Sequence, residues 1–371
     1  MKKRLVLGLT LALCVTGLFA CGKNEKETES ELVQVEIEAI PTQEEEEVAE
    51  ETALEDELPE GMYFSELTNL PIDISLQNQR PIAAMVDNEK TALPHFGLND
   101  ADIIYELMNS TENDRITRFM VIVKDWGNIE QLGSIRSTRP TNIMLAAEYN
   151  AVLCHDGGPY YIDSYFAKDV YKDHFSGIFS RVNNGKAREF TEYIMPGDLE
   201  SAFESSGYST EYTEYYQGPH WQFAPKVDPI TLEENSDATS CTKIEFPFKH
   251  NSSELEYDAS DERYYYSEYG SPHLDGSTNE QLAFDNVIIQ YCTFSQLDEN
   301  GYLIFNVLDT SNQPAYYCTK GKCIPCTWVR EGTDTSLTHY YKMDGEEITI
   351  NTGTTYVALV PDDNWDDLSI Q

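Results

Sequence analysis

Secondary-structure signals change their pattern near residue 228, and this change restricts the folds open to the chain. Before it, β-prone runs alternate with helical runs; after it, short β-prone runs follow one another, separated by turn signals such as "DENG". The predicted strands of the first part are residues 81–87, 101–107, 116–124 and 151–154, and its predicted helices begin near residues 140, 161 and 198. We therefore predict an α+β protein, in which an N-terminal α/β-type domain with a mixed sheet (61–228) precedes a mostly antiparallel, β-rich domain (229–371).

The first twenty residues have the composition of an export signal. Lys2, Lys3 and Arg4 are followed by an apolar run through Ala20, which is shorter than the roughly 20 residues of a membrane-spanning helix. The run ends in "LFAC". Lipoprotein signals end with an aliphatic residue, a small residue and then the cysteine that is acylated, and Leu18, Ala20 and Cys21 match this order. We predict a lipoprotein signal peptide (1–20) and a lipid-anchored protein on the outer face of the cytoplasmic membrane. An ordinary secretory signal or a short anchor helix is the alternative.

Residues 21–60 form a strongly acidic segment. From Gly22 to Glu60 there are sixteen acidic residues, two lysines and no aromatic residue, so charge repulsion and a lack of apolar surface predict a disordered tether. The whole chain has 65 acidic and 25 basic residues, and the part after the tether is acidic as well. This balance is unfavourable for nucleic acid binding, so the expected partners are the membrane, through the lipid anchor, and an anionic envelope ligand at a local basic site.

Four of the ten arginines fall within twenty-five residues, which concentrates positive charge in an acidic chain. Arg118 lies on a predicted strand, and Arg136 and Arg139 in "GSIRSTRP" precede a predicted helix. Helix N-termini and guanidinium groups both favour anions, so we predict that Arg118, Arg136 and Arg139 bind a phosphate or a carboxylate. The alternative is that they pair with carboxylates of the chain itself, for example Glu106 or Asp102.

The sequence "HDGG" follows a short predicted strand and precedes a helical run. Ligands of open α/β sheets bind at the carboxyl ends of strands, and glycines allow the backbone to approach a ligand closely. Gly157 and Gly158 are therefore predicted to line the ligand site. His155 and Asp156 are the candidate catalytic residues, because a histidine can exchange protons near neutral pH and an aspartate can orient it or bind a cation. A plain turn is the alternative.

Two further motifs carry chemistry-bearing side chains. In "PHLDG", His273 and Asp275 lie between β-prone runs, and a turn role for Asp275 is the favoured interpretation. In "CTKGKCIPC", a disulfide among Cys318, Cys323 and Cys326, or a zinc site, is favoured over an iron–sulfur cluster. Since the sequence has no complete P-loop, dinucleotide-binding, H-E-x-x-H or G-x-S-x-G motif, we predict no cofactor and no metal.

Several ordered blocks resemble the YerB-like lipoproteins of Gram-positive bacteria. They include "RPIAAMVDNEKTALPHFGLNDADIIYELMNSTENDRITRFMVIV", "GSIRSTRP", "VLCHDGGP" and "PHLDGSTNEQLAFDNVIIQ", and the similarity covers most of residues 80–361. The resemblance implies a two-domain exported lipoprotein of a family of unknown function, which brings no catalytic residues with it. The chain departs from the family at Asp156, where a small residue is usual, at 192–198, which lack a Pro-His-Asn stretch, and at the cysteines of "CTKGKCIPC".

Three hypotheses for function follow from these observations. The leading one is a membrane-tethered extracytoplasmic protein that binds an anionic cell-envelope ligand through its arginine cluster. The first alternative is a cell-envelope enzyme, in which His155 acts as acid or base and the arginines stabilise negative charge. The second alternative is a non-catalytic scaffold for other envelope proteins. Whether the protein is an enzyme is left open at this point.

Overall fold

A mixed β-sheet of eleven strands runs through the centre of the molecule in the computed structural model, which describes residues 55–308 and 310–371. The predicted signal peptide, Cys21 and all but the last residues of the acidic tether lie outside these described residues. Within them, no helix is both long enough and apolar enough to span a membrane.

The described residues form twenty-six strands and three α-helices. The strands before residue 228 are β1 (Met62–Phe64), β2 (Pro71–Asp73), β3 (Ile82–Asp87), β4 (Ile103–Met108), β5 (Thr117–Val123), β6 (Leu132–Gly133), β7 (Val152–His155), β8 (His174–Ser176), β9 (Ser180–Arg181), β10 (Glu192–Ile194) and β11 (Phe223–Ala224). The first strands after it are β12 (Thr239–Ser240), β13 (Lys243–Glu245), β14 (Glu254–Asp258), β15 (Arg263–Glu268), β16 (Ser271–Pro272), β17 (Ala283–Phe284), β18 (Asn286–Cys292) and β19 (Phe294–Gln296). The last strands are β20 (Leu303–Phe305), β21 (Gln313–Thr319), β22 (Lys322–Arg330), β23 (Thr338–Lys342), β24 (Ile350–Asn351), β25 (Thr355–Pro361) and β26 (Ser369–Ile370).

The α-helices are α1 (Pro140–Glu148), α2 (Asp163–Phe166) and α3 (Asp198–Ser206). Short 3₁₀ segments occupy Ile74–Leu76, Lys90–Ala92, Leu98–Asp100, Trp126–Asn128, Tyr160–Ile162, Arg188–Phe190 and Asp362–Asp367. Helix α1 begins at a proline, whose fixed φ suits a first helical position, and α3 ends at Gly207, whose positive φ of 70° closes the helix.

The central sheet has the strand order β12-β22-β21-β18-β25-β4-β5-β3-β7-β8, and β23 adds to β22. Strands β18, β25 and β4 run parallel, as do β3, β7 and β8, whereas the other pairs of this sheet are antiparallel. A second, antiparallel sheet has the order β16-β15-β14-β13-β26, with β17 beside β15. Because β25 pairs with β4, strands from both halves of the sequence share the central sheet.

Both faces of the central sheet are buried. Along β3, Ile82, Ala84 and Val86 belong to one apolar core, and the alternate residues Ala83 and Met85 belong to the other. The first core also contains residues of the second sheet and of α3, and the second core contains the apolar residues of α1. Burial on both faces explains why the central strands are continuous apolar runs rather than alternating ones.

The predicted fold class is confirmed, with a mixed sheet, few helices and antiparallel β-structure in the second half. The predicted strands of the first half correspond to β3, β4, β5 and β7. The helix predicted from residue 161 is shorter than expected, because α2 ends at Phe166 and the chain turns back to place β8 beside β7. The domain boundary at 228/229 stays a prediction, and the described residues belong to one compact unit.

Candidate functional site

A buried carboxylate, Asp87, lies at the centre of the arginine cluster. Asp87 ends β3 and faces Arg118 of β5 in register, with 3.9 Å between its Oδ2 and Arg118 Nη2. The same oxygen contacts Arg136 Nε, and Arg136 Nη1 lies 3.1 Å from Glu189. Two of the three predicted arginines therefore have internal carboxylate partners. These partners are Asp87 and Glu189 rather than the acidic residues considered from the sequence.

Glu106 and Asp102, the partners considered from the sequence, are engaged elsewhere. Glu106 accepts hydrogen bonds from the side chains of Asn88, Thr117, Asn251, Tyr266 and Tyr356. Asp102 accepts one from the backbone N–H of Lys124 at 2.6 Å. The expectation that they pair with the arginines is wrong, because on β4 the side chain of Glu106 points to the face opposite Arg118, and Asp102 precedes this strand.

Arg139 differs from its two neighbours, because no carboxylate of the described residues forms a salt bridge with it. Its Nη1 donates to Ser137 Oγ at 3.1 Å and to the Thr138 carbonyl at 2.8 Å, and its Nε has no hydrogen-bond partner within 55–308 and 310–371. The guanidinium lies over the ring of Tyr302, 4.6 Å from the ring centre. Burial and then the charge of Arg118 lower the pKa of Arg139 to about 9, so the side chain still carries its positive charge at neutral pH.

The backbone fixes these arginines beside the "HDGG" turn. The N–H of Asp156 donates to the Arg136 carbonyl at 2.9 Å, and the N–H of Thr138 donates to the Gly157 carbonyl at 3.0 Å. A Cβ on Gly158 would lie 3.0 Å from the Thr138 carbonyl oxygen, which explains why a glycine is needed there. The segments "GSIRSTRP" and "HDGG" therefore lie side by side in the folded protein.

His155 is buried beneath this surface. Its Nδ1 lies 2.8 Å from the Gly157 carbonyl, and its Nε2 lies 3.0 Å from His174 Nδ1. Its ring stacks on Phe166 and His174. Burial lowers the pKa of His155 to about 4, so the imidazole is neutral at physiological pH. The catalytic role of His155 stays a prediction, since both ring nitrogens have internal partners.

Asp156 points to a different group of side chains from its neighbour His155. Its Oδ2 lies 2.8 Å from Arg181 Nη2, which also binds Glu192 at 2.5 Å. Burial opposes ionisation of Asp156, but the hydrogen bond with Arg181 holds its pKa below the usual range. Burial and the neighbouring Asp156 raise the pKa of Glu192 to about 7. The expectation that Asp156 orients His155 is wrong, because the carboxylate binds Arg181 instead.

An aromatic groove begins beside Arg139, at Pro140. Its volume is about 250 Å³, and it is lined by Pro140, Tyr160, Tyr161, Ser164, Tyr165, Leu297 and Ile304. Tyr160 is 73% exposed and its ring centre lies 4.1 Å from that of Tyr161. Sequence reasoning did not find this groove, because Leu297 and Ile304 follow the tyrosines by more than a hundred residues and tyrosine is common in strands.

Comparison with known families identifies the chain. The model for the N-terminal domain of a protein of unknown function, DUF3048, matches residues 67–209, and the model for the C-terminal domain of the same family matches residues 244–357. The chain belongs to the DUF3048 family. The predicted ligand-binding arginines and glycines, with His155 and Asp156, lie in its N-terminal domain match, whereas Tyr302, Leu297 and Ile304 lie in its C-terminal domain match.

A relative from Bacillus subtilis supports the resemblance seen in the sequence. "Putative lipoprotein YerB" of Bacillus subtilis (strain 168) is 24% identical over 311 residues, which are 80% of this chain and 86% of the relative. The crystal structure of the YerB protein from Bacillus subtilis has a TM-score of 0.69 at 22% identity, and covers 83% of this chain and 99% of that one. The predicted likeness to YerB and the fold are confirmed, and the family model describes this DUF3048 member as a protein of unknown function.

The cysteines of this DUF3048 chain are grouped differently from the expected set. Cys318 and Cys323 face each other across β21 and β22, and Cys241 is the third thiol, with the three sulfur atoms within 4.8 Å of one another. Cys326 lies in the core on the other side of the sheet. Grouping it with Cys318 and Cys323 is wrong, because an offset of three residues from Cys323 reverses the side chain on a strand.

The turn role expected for Asp275 is present. Its Oδ1 accepts hydrogen bonds from the N–H groups of Ser277 and Thr278, and its Oδ2 accepts one from Gly97 at 2.7 Å. This turn also binds the loop at residue 95, since the N–H of Gly276 donates to the His95 carbonyl at 2.7 Å. The loop of the N-terminal domain match and the "PHLDG" turn of the C-terminal domain match are therefore joined.

Proposed function

We propose that this lipoprotein is anchored to the outer face of the cytoplasmic membrane and binds an anionic group of a cell-envelope molecule at Arg139. The observation that carries the proposal is the guanidinium of Arg139, which is largely buried, has an unpartnered Nε and forms no salt bridge with a described residue. A buried cation without a counter-ion is costly, and a bound anion removes that cost.

The charges around Arg139 support an anion rather than a cation. Asp87 and Glu189 are the direct carboxylate partners of Arg118 and Arg136, and no carboxylate of the described residues forms a salt bridge with Arg139. The charge of Arg118 also lowers the pKa of Arg139, which indicates mutual repulsion within the cluster. Among the described residues, Arg139 is therefore the member of the cluster without a directly bonded carboxylate, and the charge of Asp298 only partly opposes the lowering of its pKa.

The position of Arg139 adds a second favourable feature for an anion. Arg139 is the residue immediately before α1, a helix of nine residues whose N-terminus carries a partial positive charge. A phosphate or a carboxylate bound at the free edge of the guanidinium would interact with both. Because guanidinium groups bind phosphate through two parallel hydrogen bonds, a phosphate is the better match.

The groove beside Arg139 supports a ligand that is more than a free ion. Its lining of three tyrosines, Leu297 and Ile304 is suited to an apolar chain or to the face of a ring. A phosphate at Arg139 would place an attached group over Pro140 and into this groove. A lipid-linked phosphate of the cell envelope combines these two chemistries.

The membrane part of the proposal rests on Cys21 and on the likeness to YerB. If Cys21 is the lipidated residue, Cys21→Ala should move the protein from the membrane fraction to the soluble fraction. Protease added to intact cells without a wall should degrade the wild-type protein if it lies on the outer face. Persistence of Cys21→Ala in the membrane fraction, or protection of the wild type from protease, would contradict this part of the proposal.

The ligand part is tested with inorganic phosphate and with octyl phosphate as probes. We expect the full-length protein to bind octyl phosphate more tightly than inorganic phosphate, and Arg139→Ala to weaken binding of both by about ten- to a hundredfold, the loss of one charge-assisted contact. Arg188→Ala is the matched control, because Arg188 is an exposed arginine of the same domain. Calorimetric titration gives the affinities, and circular dichroism checks that both variants remain folded.

Equal affinities of Arg139→Ala and Arg188→Ala for octyl phosphate would refute the site. Arg139→Lys separates charge from geometry, since lysine keeps the charge but not the planar pair of donors. We expect it to restore only part of the affinity. Release of inorganic phosphate from octyl phosphate that disappears in His155→Ala would instead favour the enzyme hypothesis.

A further inference from the structure

Three polar side chains meet in the interior between the two sheets, away from the arginine site. His95 lies in the loop after the 3₁₀ turn Lys90–Ala92, Glu268 ends β15 and His273 follows β16. One nitrogen or oxygen of each lies within 4.8 Å of the others. All three side chains are almost completely removed from solvent, with exposures of 0%, 2% and 2%.

Most of the ring nitrogens in this cluster lack a hydrogen-bond partner. His273 Nδ1 lies 2.8 Å from Glu268 Oε1, but His273 Nε2 and both ring nitrogens of His95 have no partner among the described residues. The two imidazole rings lie side by side, with centres 5.0 Å apart. Burying an unpaired polar group costs roughly 1 to 3 kcal/mol, and buried polar atoms are paired in most native structures. Three such atoms in one place indicate an absent partner.

His95 offers nitrogen atoms that are free to bind a cation. An imidazole nitrogen with a free lone pair is the form that binds metal ions, and neither ring nitrogen of His95 has a partner among the described residues.

A second buried carboxyl group lies close to this cluster. Asn251 Nδ2 donates to Glu106 Oε1 at 2.7 Å and lies 3.4 Å from Glu268 Oε2, so it connects the carboxylate of the cluster to a second buried carboxylate. Two imidazoles and a carboxylate are a ligand set that binds zinc and related divalent ions.

We propose that His95, His273 and Glu268 bind one divalent transition-metal ion, of the zinc class, between the two sheets. The ion replaces the hydrogen bond between His273 Nδ1 and Glu268 Oε1, and the proton of that bond is released. It also coordinates a ring nitrogen of His95 that has no other partner among the described residues. Donors around a tetrahedral zinc ion are about 3.3 Å apart for bonds of roughly 2.0 to 2.1 Å, so small side-chain rotations close the site. Since His95 belongs to the N-terminal domain match and the other two ligands to the C-terminal one, the ion ties the two together.

No metal-binding motif marks this site in the sequence, because its ligands are not closely spaced along the chain. The "PHLDG" turn holds His273, whereas His95 precedes it by 178 residues. The hydrogen bonds from Gly97 to Asp275 and from Gly276 to the His95 carbonyl bring the two loops together. The prediction of no metal was based on motifs whose ligands are closely spaced in sequence, and such motifs do not include this set of residues.

The test uses the full-length protein, freed of metal with a chelator in denaturant and refolded with or without Co²⁺. We expect one Co²⁺ per chain, visible absorption bands of a low-coordinate ion without a sulfur-to-metal charge-transfer band, and a higher melting temperature with Zn²⁺. His95→Asn should lower Co²⁺ affinity at least about tenfold. His250→Asn, which changes a histidine outside the cluster, should leave the affinity unchanged.

The cysteine cluster provides a discriminating outcome. If the Co²⁺ spectrum has strong thiolate charge-transfer absorption that Cys241→Ser removes, the metal is bound by Cys241, Cys318 and Cys323 and the proposal is overturned. Wild-type protein that refolds fully and retains no Co²⁺ or Zn²⁺ also overturns it, whatever the variants do. A His95→Asn variant that fails to fold does not affect this wild-type measurement.

Discussion

At the scale of single residues, internal partners decide what the predicted site residues can do. Arg136 and Arg139 are three positions apart, yet the first contacts Asp87 and Glu189 and the second has no carboxylate partner among the described residues. Likewise, His155 and Asp156 are neighbours in sequence but contact different groups. The chemistry of each side chain follows from these contacts rather than from its motif.

The buried His155 should make the protein less stable in acid. Its folded-state pKa of about 4 lies below the usual 6.5, so the unfolded chain takes up a proton in this range more readily than the folded one. Stability should therefore be fully present above pH 6.5 and fall as the pH drops from 6.5 to 4, by a His155 contribution on the order of 3 kcal/mol. Urea unfolding at several pH values measures it, and His155→Gln should show a smaller decrease. An identical pH dependence in the two proteins would contradict the assignment.

At the scale of elements, a buried ion pair fixes α1 to the distant strand β22. Arg330 Nη1 lies 2.6 Å from Glu148 Oε1, and both side chains are fully buried. His220 Nε2 and the N–H of Thr338 contact the other oxygen of Glu148, at 3.1 Å and 2.8 Å. Burial alone would raise the pKa of Glu148, but Arg330 and His220 hold it below the usual range. The helix that begins at the arginine site is therefore held at its other end by the second half of the chain.

Removing the charge of Glu148 should be strongly destabilising. Glu148→Gln leaves the Arg330 guanidinium buried without a counter-charge, which costs about 3 to 5 kcal/mol. Glu346→Gln is the matched control, because Glu346 is an exposed carboxylate paired with Lys342 and its loss should cost less than about 1 kcal/mol. Urea denaturation of the three proteins gives the comparison. Similar losses in both variants would show that the buried pair contributes no more than a surface pair.

At the scale of the whole molecule, the central sheet makes the two halves of the chain interdependent. Strand β25 pairs with β4 on one side and with β18 on the other, so the middle of the sheet joins strands about 250 residues apart in sequence. Without the second half, β4 would become an exposed apolar edge strand.

Neither half should therefore fold by itself. We expect residues 55–228, expressed without 229–371, to lack a cooperative thermal transition, and the same for 229–371 alone, whereas residues 55–371 should unfold in a single transition. Circular dichroism and amide chemical-shift dispersion provide the measurement. A cooperative transition in either fragment would instead support independent domains on the two sides of residue 228.

The sequence predicted the elements of the fold more fully than their pairing. Apolar runs identified β3, β4, β5 and β7 because a central strand must be apolar on both faces. The parallel pairing of β25 with β4 could not be predicted, since the pattern of a strand does not specify its neighbour. The helix from residue 161 was predicted too long. Local helix propensity does not show that the chain must turn after Phe166 so that β8 can pair with β7.

The candidate site was also predicted only in part, because some of its contacts depend on how distant strands pair. The adjacency of "GSIRSTRP" and "HDGG" follows from strand ends, and it was inferred from the sequence. Asp87 as the shared partner of Arg118 and Arg136 depends on the register of β3 against β5, which the sequence does not reveal. Tyr302 above Arg139 and the His95–Glu268–His273 cluster require contacts between distant segments, which only the folded structure provides.

The late position of β25 also determines when the central sheet can be completed during synthesis. The centre of the sheet cannot close until Thr355–Pro361 is available to β4, so the earlier strands must wait without their partner while synthesis continues. If the chain is exported as proposed above, this delay is compatible with passage through a translocation channel, which accepts an unfolded chain. The strand order therefore ties completion of the central sheet to the last seventeen residues of the chain, 355–371.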